Sequence, residues 1–420
     1  MASGAEHTVT DGNILAISEK QRIILAFQYS KYDALICSGA IRSGKSSLMA
    51  TAYIDWAMQN FNGQRFGICG KTVGSAIENV ITPWVAMART KKRYRVRFSR
   101  SSKLLTVTRG NVTNVFEIFG GKDEASYMLI QGRTLAGVLM DEVALMPRSF
   151  VNQATARCSV DGSRLWFNCN PESPRHWFYQ EWMLGAKAKN ALVLEFELRD
   201  NPSLSEHIIE RYESMYNGVF YDRYILGKWI IAEGLVYQFD APGEYTVTRD
   251  DAIGDGRGAF YLSIDYGITN PFACLLWRVT ADTAYIVDEY YFASKEQGRR
   301  RTDAEHYDAL EKFAKGYPIE AIIIDPSANS FKEEIYRRGR FSVYDADNSV
   351  LDGIQITDQM LHDGAVKISE SCENVLKEMQ LYRWDDSAAK DAVIKENDHC
   401  CDSLRYMANT ILKYSLIGYA

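Results

Sequence analysis

The sequence of 420 residues contains little proline, no cysteines at metal-binding spacing and no long apolar run. Its nine prolines exclude long proline-rich linkers. Its eight cysteines are scattered without a C-x-x-C pair, which disfavours a zinc site and predicts reduced thiols in a cytosolic compartment. No apolar stretch approaches the roughly 18 residues of a membrane-spanning helix. Residues 1–20 also lack the basic start and apolar core of a secretory signal.

The overall composition is that of a globular protein. Hydrophobic residues make up 46% of the chain and charged residues 24%, which excludes a mostly disordered or fibrous protein. The net charge of −6 disfavours a protein that coats DNA non-specifically, although local basic patches are compatible with it. The length predicts two or three domains.

Two stretches of alternating strand and helix patterns predict an α/β fold with largely parallel sheets. The first runs from Ala34 to about Ile231, and the second from Ala259 to about Tyr414. Between them the chain is rich in glycine and acidic residues, which is typical of a connector. We therefore predict a first domain over residues 1–232, a linker over 233–258 and a second domain over 259–420.

A phosphate-binding loop is predicted near the start of the first domain. An apolar strand that begins near Asp33 runs into a G-x-x-x-x-G-K-S sequence, and a helix-compatible stretch follows. The loop comprises Gly39, Ala40, Ile41, Arg42, Ser43, Gly44, Lys45, Ser46 and Ser47. Backbone N–H groups and the helix N-terminus bind phosphate in such loops, Lys45 reaches the terminal phosphates, and Ser46 can bind Mg²⁺. This pattern predicts an ATP–Mg²⁺ site.

Polar residues end two later apolar strands of the same domain. Asp141 and Glu142 follow the first, where Asp141 would hold Mg²⁺ through water and Glu142 would polarise the attacking water. Asn168 and Asn170 follow the second, where either could approach the γ-phosphate. An Asn-Pro turn that only closes a core strand explains the second pattern equally well.

A basic stretch lies between these motifs. Residues 89–109 contain nine Lys and Arg residues and no acidic residue. Arginine and apolar residues alternate from Arg93 to Phe98, so one strand face is cationic. That face is either an ordinary solvated surface or a surface that follows a phosphate backbone.

The second domain contains acidic residues at three separated positions. Asp265 and Asp325 follow apolar strands, and a late predicted helix carries Asp398, His399 and Asp402. Acids from two strands and a helix can converge on two divalent cations that promote phosphodiester hydrolysis. Oxygen ligands favour Mg²⁺ or Mn²⁺ over zinc, and His399 favours Mn²⁺ slightly. An actin-like phosphate turn at Asp265-Tyr-Gly267 is a different interpretation, but it needs a second matching turn.

Taken together, these motifs resemble the large terminase subunit of tailed bacteriophages in order and spacing. The resemblance rests on Gly39 to Ser46, Asp141-Glu142, Asn168 to Pro171, Gly227 to Tyr237, Asp265, Asp325 and the segment Asp398 to Asp402. It implies a P-loop (RecA/ASCE-like) ATPase domain followed by an RNase H-like nuclease domain. It also implies a motor that moves double-stranded viral DNA into a procapsid, and an endonuclease that cuts the concatemer.

The same resemblance implies further residues and partners. Gln21 lies where the family commonly contacts adenine, and Arg133 is the candidate for an arginine finger that acts on a neighbouring subunit, with Arg42 as a second basic group. Asp402 is preferred to Asp398 as the third nuclease acid. The implied partners are a small terminase subunit, the portal protein and further copies of the chain in a ring. The implied place of action is the host cytoplasm, where the protein docks transiently on the procapsid.

Two interpretations from other classes remain. One is a P-loop helicase or repair translocase with a degenerate RNase H-like binding domain, which has no need of all three acids. The other is a non-enzymatic nucleotide switch, against which Glu142 beside Asp141 argues.

Overall fold

A computed structural model describes residues 7–10, 13–238, 243, 245–267, 270–388 and 390–416. The chain divides into two compact units, Met1–Ile231 and Ala232–Ala420. None of the helices in the described ranges has the length and apolar character needed to cross a membrane.

The first unit contains ten strands and eight α-helices within the described residues. The strands are β1 (His7–Thr10), β2 (Asn13–Ala16), β3 (Ala34–Gly39), β4 (Arg65–Gly70), β5 (Arg95–Ser99), β6 (Leu104–Arg109), β7 (Val112–Gly120), β8 (Gly137–Met140), β9 (Arg164–Cys169) and β10 (Ala191–Phe196). The helices are α1 (Glu19–Ala26), α2 (Lys45–Asn60), α3 (Val73–Ala76), α4 (Thr82–Ala86), α5 (Ala88–Arg93), α6 (Arg148–Ala156), α7 (Glu206–Ser214) and α8 (Gly218–Tyr224). Short π or 3₁₀ turns join several of them.

Eight of these strands form one sheet in the order β10-β3-β9-β8-β4-β7-β6-β5. The strands from β10 to β7 are parallel, and β6 and β5 extend the sheet as an antiparallel meander. The P-loop strand β3 therefore lies beside β9, and β8 lies beyond β9. Because parallel strands present their carboxyl ends at one edge, the polar residues after β3, β8 and β9 meet there.

The core of the first unit explains why the sheet forms. The β3 segment is buried at all six positions, as expected for a central strand covered on both faces. The aromatic side chains of Tyr53 and Trp56 on α2 pack against Phe66, Phe116 and Trp166 of the sheet. Burial of these large side chains fixes α2, and with it the P-loop, against the sheet.

The second unit contains seven strands and seven α-helices within the described residues. The strands are β11 (Thr246–Val247), β12 (Ala259–Asp265), β13 (Phe272–Val279), β14 (Ala284–Phe292), β15 (Ile319–Ile324), β16 (Val343–Asp345) and β17 (Val366–Ser369). The helices are α9 (Arg249–Ile253), α10 (Asp303–Phe313), α11 (Asn329–Arg338), α12 (Val350–His362), α13 (Glu373–Met379), α14 (His399–Met407) and α15 (Lys413–Ser415). A π turn over Ala408–Leu412 joins α14 to α15.

The seven strands form one mixed sheet in the order β11-β17-β14-β13-β12-β15-β16. The strands β12, β13 and β14 are an antiparallel meander, and β15 joins β12 in parallel. The segment that we predicted as a linker over 233–258 is more than a connector. It contributes β11, which pairs with β17, and α9 to this unit, while part of it lies outside the described residues.

Candidate functional sites

A cavity of about 690 Å³ lies at the carboxyl edge of the first sheet. Its walls come from the P-loop, from the ends of β8 and β9, and from the segments that follow α3 and β10. The lining residues are Ile41, Arg42, Ser43, Gly44, Lys45, Ser46, Ser47, Glu78, Asn79, Pro83, Asp141, Glu142, Asn168, Cys169, Asn170, Asn201 and Leu204. Nine predicted nucleotide-site residues, all of them except Gln21 and Gly39, thus share one cavity with Glu142.

The P-loop has the backbone that a phosphate site needs. Gly44, directly before α2, has a φ of +83°, a left-handed conformation that glycine adopts without steric cost. The first N–H groups of α2 therefore point into the cavity, together with the positive end of the helix dipole.

The Lys45 ammonium is buried and bound by the loop itself. It donates to the carbonyl oxygens of Gly39 and Ala40, at 2.9 and 2.6 Å. It also contacts the Ser43 hydroxyl at 3.1 Å and the Asn170 side-chain oxygen at 3.4 Å. Burial lowers the pKa of Lys45 to about 8. Asn170 thus lies beside the P-loop lysine, Lys45.

Ser46, Asp141 and Asn168 form a compact group of oxygen donors. The Ser46 hydroxyl donates to Asp141 Oδ1 at 3.0 Å, and the Asn168 amide donates to the Ser46 oxygen at 2.7 Å. Among the described residues, the buried Asn168 Oδ1 has no hydrogen-bond partner. A hydroxyl and a carboxylate in contact fit a hard divalent cation such as Mg²⁺, and the Asn168 amide donates to both of them.

Glu142 faces the same cavity from a strained backbone. Its φ of +58° is unusual for a residue with a side chain and directs Glu142 away from the line of β8. The pKa of the Glu142 carboxyl is raised, mainly by burial and to a smaller extent by the negative charge of Asp141. A carboxylate with a raised pKa beside a cation site is suited to orienting an attacking water.

Gln21 lies against the P-loop but is not among the residues that line the cavity. Its Nε2 donates to the Ser43 carbonyl at 3.0 Å, and its Oε1 accepts from the Ser18 N–H at 3.1 Å in the capping box of α1. Both polar atoms of the Gln21 amide therefore form hydrogen bonds with backbone groups. The contact between Gln21 and adenine stays a prediction.

The two candidate arginines differ in their surroundings. Arg42 lines the cavity, whereas Arg133 does not and instead forms an ion pair with Glu117 at 3.4 Å. Asn201 is a cavity residue that sequence analysis missed, and its Nδ2 donates to the Arg42 carbonyl at 2.7 Å. The sequence feature that could have indicated Asn201 is the Asn201-Pro202 pair that follows β10.

The basic strand alternates as predicted. Arg95 and Arg97 are exposed on the edge strand β5, while Val96 and Phe98 pack against the core of the first unit. The arginine side chains therefore form a cationic outer face.

In the second unit, Asp265 and Asp325 come to the same edge of the sheet. The parallel register pairs Ile264 with Ile324, so both acids leave adjacent strands at the same level. The Tyr406 hydroxyl lies between them, 3.4 Å from Asp265 Oδ1 and 3.2 Å from Asp325 Oδ2. Two carboxylates that flank one hydroxyl fit a shared cation.

His399 lies on the other side of Asp265, with Nδ1 2.8 Å from Asp265 Oδ2. Burial raises the pKa of Asp265, although the hydrogen bond from His399 opposes this. Burial by itself would lower the pKa of His399, but the hydrogen bond and charge of Asp265 raise it above its ordinary value. The two groups therefore stabilise each other as a charged pair.

Asp398 and Asp402 are bound by basic side chains. Lys395 Nζ lies 3.2 Å from Asp398 Oδ2 and 3.0 Å from Asp402 Oδ2. Arg405 contacts Asp402 Oδ1 at 2.8 Å.

The predicted convergence of all the nuclease acids is therefore not observed as one cluster. Within the described ranges, no group of three or more His, Cys, Asp or Glu residues is arranged to hold a metal ion. Asp265 and Asp325 share the Tyr406 hydroxyl, whereas Asp398 and Asp402 share Lys395. The two pairs are near enough to interact, because the charges of Asp402 and Asp398 contribute to the raised pKa of Asp265. Sequence analysis missed Tyr406, although it follows Asp402 by one helical turn, as well as Lys395 and Arg405.

Comparisons with known proteins identify both units. Residues 36–241 match the family "Terminase large subunit, T4likevirus-type, N-terminal", and residues 264–410 match "Terminase RNaseH-like domain". The large terminase of the thermophilic bacteriophage D6E in complex with ADP is 43% identical, with a TM-score of 0.84 over 94% of this chain and 100% of that chain. The D6E protein with ATP-gamma-S is 42% identical, with a TM-score of 0.83 over 94% of this chain and 99% of that chain.

A curated relative, the "Terminase, large subunit" of Escherichia phage T5, is 23% identical over 297 residues, or 66% of this chain. The match spans 65% of the T5 protein, slightly less than two thirds of its length. The predicted family and the predicted order of a P-loop ATPase fold and an RNase H-like fold are confirmed, and a helicase with a degenerate second domain is not favoured. This chain belongs to the large terminase family of bacteriophages.

Proposed function

We propose that the chain is a DNA-packaging motor in which ATP hydrolysis drives double-stranded DNA into a procapsid, and a second site cuts the concatemer. The observation that carries the proposal is the cavity in which Lys45, Ser46, Asp141, Glu142 and Asn168 meet. The D6E relatives bound to ADP and ATP-gamma-S support a nucleotide as the ligand of that cavity.

Each residue of the cavity has a proposed role in ATP hydrolysis. Lys45 leaves the loop carbonyls and neutralises the terminal phosphates, while the N–H groups at the start of α2 hold the other phosphate oxygens. Ser46 and Asp141 would hold Mg²⁺, and Glu142 would orient the attacking water. Asn168, whose side-chain amide donates to Ser46 and Asp141, is the proposed sensor of the γ-phosphate, and Asn170 assists through Lys45.

The second site is proposed as an endonuclease. Asp265 and Asp325 are the proposed ligands of Mg²⁺ or Mn²⁺, with Asp402 or Asp398 completing the site and His399 as an auxiliary ligand or base. The bound cations supply positive charge that stabilises the attacking and leaving oxygens of a phosphodiester. Tyr406 orients the Asp265 and Asp325 carboxylates through its hydroxyl.

The family also supports the proposed partners and place of action. These are double-stranded DNA, a small terminase subunit, the portal of a procapsid in the host cytoplasm, and further copies of this chain in a ring. Arg133 remains the proposed arginine finger toward a neighbouring copy. Its ion pair with Glu117 would then have to open on assembly.

Two variants of the full chain test the proposal by separating its activities. Lys45→Ala should abolish ATP hydrolysis and leave metal-dependent cutting of supercoiled plasmid intact. Asp265→Asn should do the reverse. Either variant could lose both activities while still unfolding at the wild-type temperature. That result would contradict the proposal that the two activities belong to independent sites.

A further inference from the structure

Two basic side chains, Lys395 and Arg405, bind the carboxylates of Asp398 and Asp402. Arg405 binds Asp402 Oδ1, whereas Lys395 binds Asp402 Oδ2 and Asp398 Oδ2 together. The Lys395 ammonium therefore occupies a position between two carboxylates, which is where a cation is most stable.

The two basic side chains differ in their freedom to move. The Arg405 side chain is only 2% exposed, and its guanidinium also donates to the carbonyls of Asn348 and Ser349 at 2.8 and 3.2 Å. The Lys395 side chain is 58% exposed, and within the described part of the chain its polar partners are the two aspartates alone. Arg405 is thus a fixed part of the core, whereas Lys395 can swing into solvent at little cost.

The electrostatic requirement of the pair is strict. The side chains of Asp398 and Asp402 are 6% and 11% exposed, so water screens their mutual repulsion poorly. One mobile positive charge must stay near them until another cation replaces it. A divalent cation brings twice the charge to the same oxygens.

We propose that Lys395 is the exchangeable counter-ion of this pair: it holds Asp398 and Asp402 in place before a divalent cation arrives, and it leaves them when the cation binds. Lys395 is then a positioning residue that sets the affinity for the second cation. The inference rests on the proposed nuclease function, because it takes the pair as part of the metal site.

The test measures Mn²⁺ binding rather than cutting alone. Free Mn²⁺ is followed by electron paramagnetic resonance in full-length protein that carries Asp141→Asn, so that the first unit does not contribute. Lys395→Met is compared with Lys377→Met, which removes the same charge from an exposed position on α13. Lys395→Arg keeps the charge and checks that the loop tolerates substitution.

Removal of a competing positive charge a few ångströms away should tighten Mn²⁺ binding by Lys395→Met at least about tenfold. The unfolding temperature without metal should fall, because the pair is left uncompensated, and Mn²⁺ should restore it. Lys377→Met should bind like the parent, and Lys395→Arg should bind no more tightly than the parent.

Other results identify what has failed. Unchanged or weaker Mn²⁺ binding by Lys395→Met would overturn the counter-ion role, and loss of cutting with unchanged binding would assign Lys395 to the DNA instead. If the parent with intact Asp265 and Asp325 neither binds Mn²⁺ nor cuts plasmid, the proposed nuclease itself is wrong.

Discussion

The indole Nε1 of Trp229 donates a hydrogen bond to the hydroxyl of Ser38, 2.9 Å away. Ser38 is the next-to-last residue of β3, directly before the P-loop, and Trp229 lies two residues before the end of the first unit at Ile231. The last segment of the first unit is therefore fastened to the strand that carries the phosphate-binding loop.

Gly227 strengthens this connection. It has a φ of +69°, and a Cβ there would lie 2.2 Å from the Phe196 carbonyl oxygen and 3.1 Å from the Ala40 nitrogen. Only glycine allows such an approach. Because Lys45 binds the carbonyls of Gly39 and Ala40, movement of Lys45 toward a phosphate changes the contacts of the peptides on which Gly227 packs.

We predict that Trp229→Phe keeps ATP binding and slows ATP turnover severalfold. The ring still packs against Tyr179, whose centroid is 5.0 Å away, but the Ser38 hydroxyl loses its donor. The loss of this partly buried hydrogen bond should cost about 1 kcal/mol of unfolding free energy. Trp177→Phe is the matched control, because within the described residues the buried Trp177 Nε1 has no partner. Steady-state ATPase assays and hydrogen exchange of residues 35–45 should distinguish the two variants; equal behaviour would remove the coupling role from Trp229.

ATP affinity should decrease as the pH rises above about 8. The pKa of Lys45 is lowered to about 8 by burial, so the lysine is increasingly neutral above that pH when no nucleotide is bound. Bound phosphates favour the charged form and raise this pKa, so ATP binding takes up a proton. Affinity should then fall by up to about tenfold per pH unit until the pKa of the complex is reached.

Calorimetric titration in two buffers of different ionisation enthalpy measures this proton uptake. Lys45→Arg provides the control, because a guanidinium stays charged throughout the range. An arginine variant with the same pH dependence as the wild type would place the titrating group elsewhere.

Glu142→Gln should bind ATP with nearly wild-type affinity and lose turnover by on the order of a hundredfold or more. The amide keeps the size of the side chain and its strained backbone position but cannot accept a proton from water. Rapid-quench measurement of a single turnover separates this loss from slow product release. A normal rate of phosphate formation would assign the water to another residue, with Asn168 the first candidate.

The sequence predicted the backbone of both sites better than their side-chain contacts. The P-loop and the parallel pair β12–β15 follow from local patterns, namely a strand–glycine–helix sequence and apolar runs that end in acids. The strand β11 is only two residues long, so no periodic pattern marks it inside the glycine-rich segment. The engagement of Asp402 by Lys395 and Arg405 depends on how α14 packs, which sequence spacing alone does not define.

Among the four proposed nuclease acids, we expect a defined order of effects on cutting when each is changed to asparagine. Asp265 and Asp325 leave adjacent parallel strands and face the Tyr406 hydroxyl, so loss of either charge should reduce Mn²⁺-dependent cutting of supercoiled plasmid by several orders of magnitude. Tyr406→Phe removes only the hydroxyl between them and should reduce cutting about tenfold, while His399→Ala should have an intermediate effect.

The roles of Asp402 and Asp398 can be distinguished by mutation, because Arg405 binds Asp402 and not Asp398. Asp402→Asn leaves a buried guanidinium without its carboxylate and should therefore lower the unfolding temperature as well as the rate of cutting. Asp398→Asn should affect mainly the rate, since Lys395 retains Asp402 as a partner. ATP hydrolysis provides the control for every variant, because the proposed ATPase residues all lie in the first unit. Full cutting by Asp265→Asn or Asp325→Asn would eliminate the two-strand metal site. Loss of cutting in Asp398→Asn but not in Asp402→Asn would move the third ligand to the start of α14.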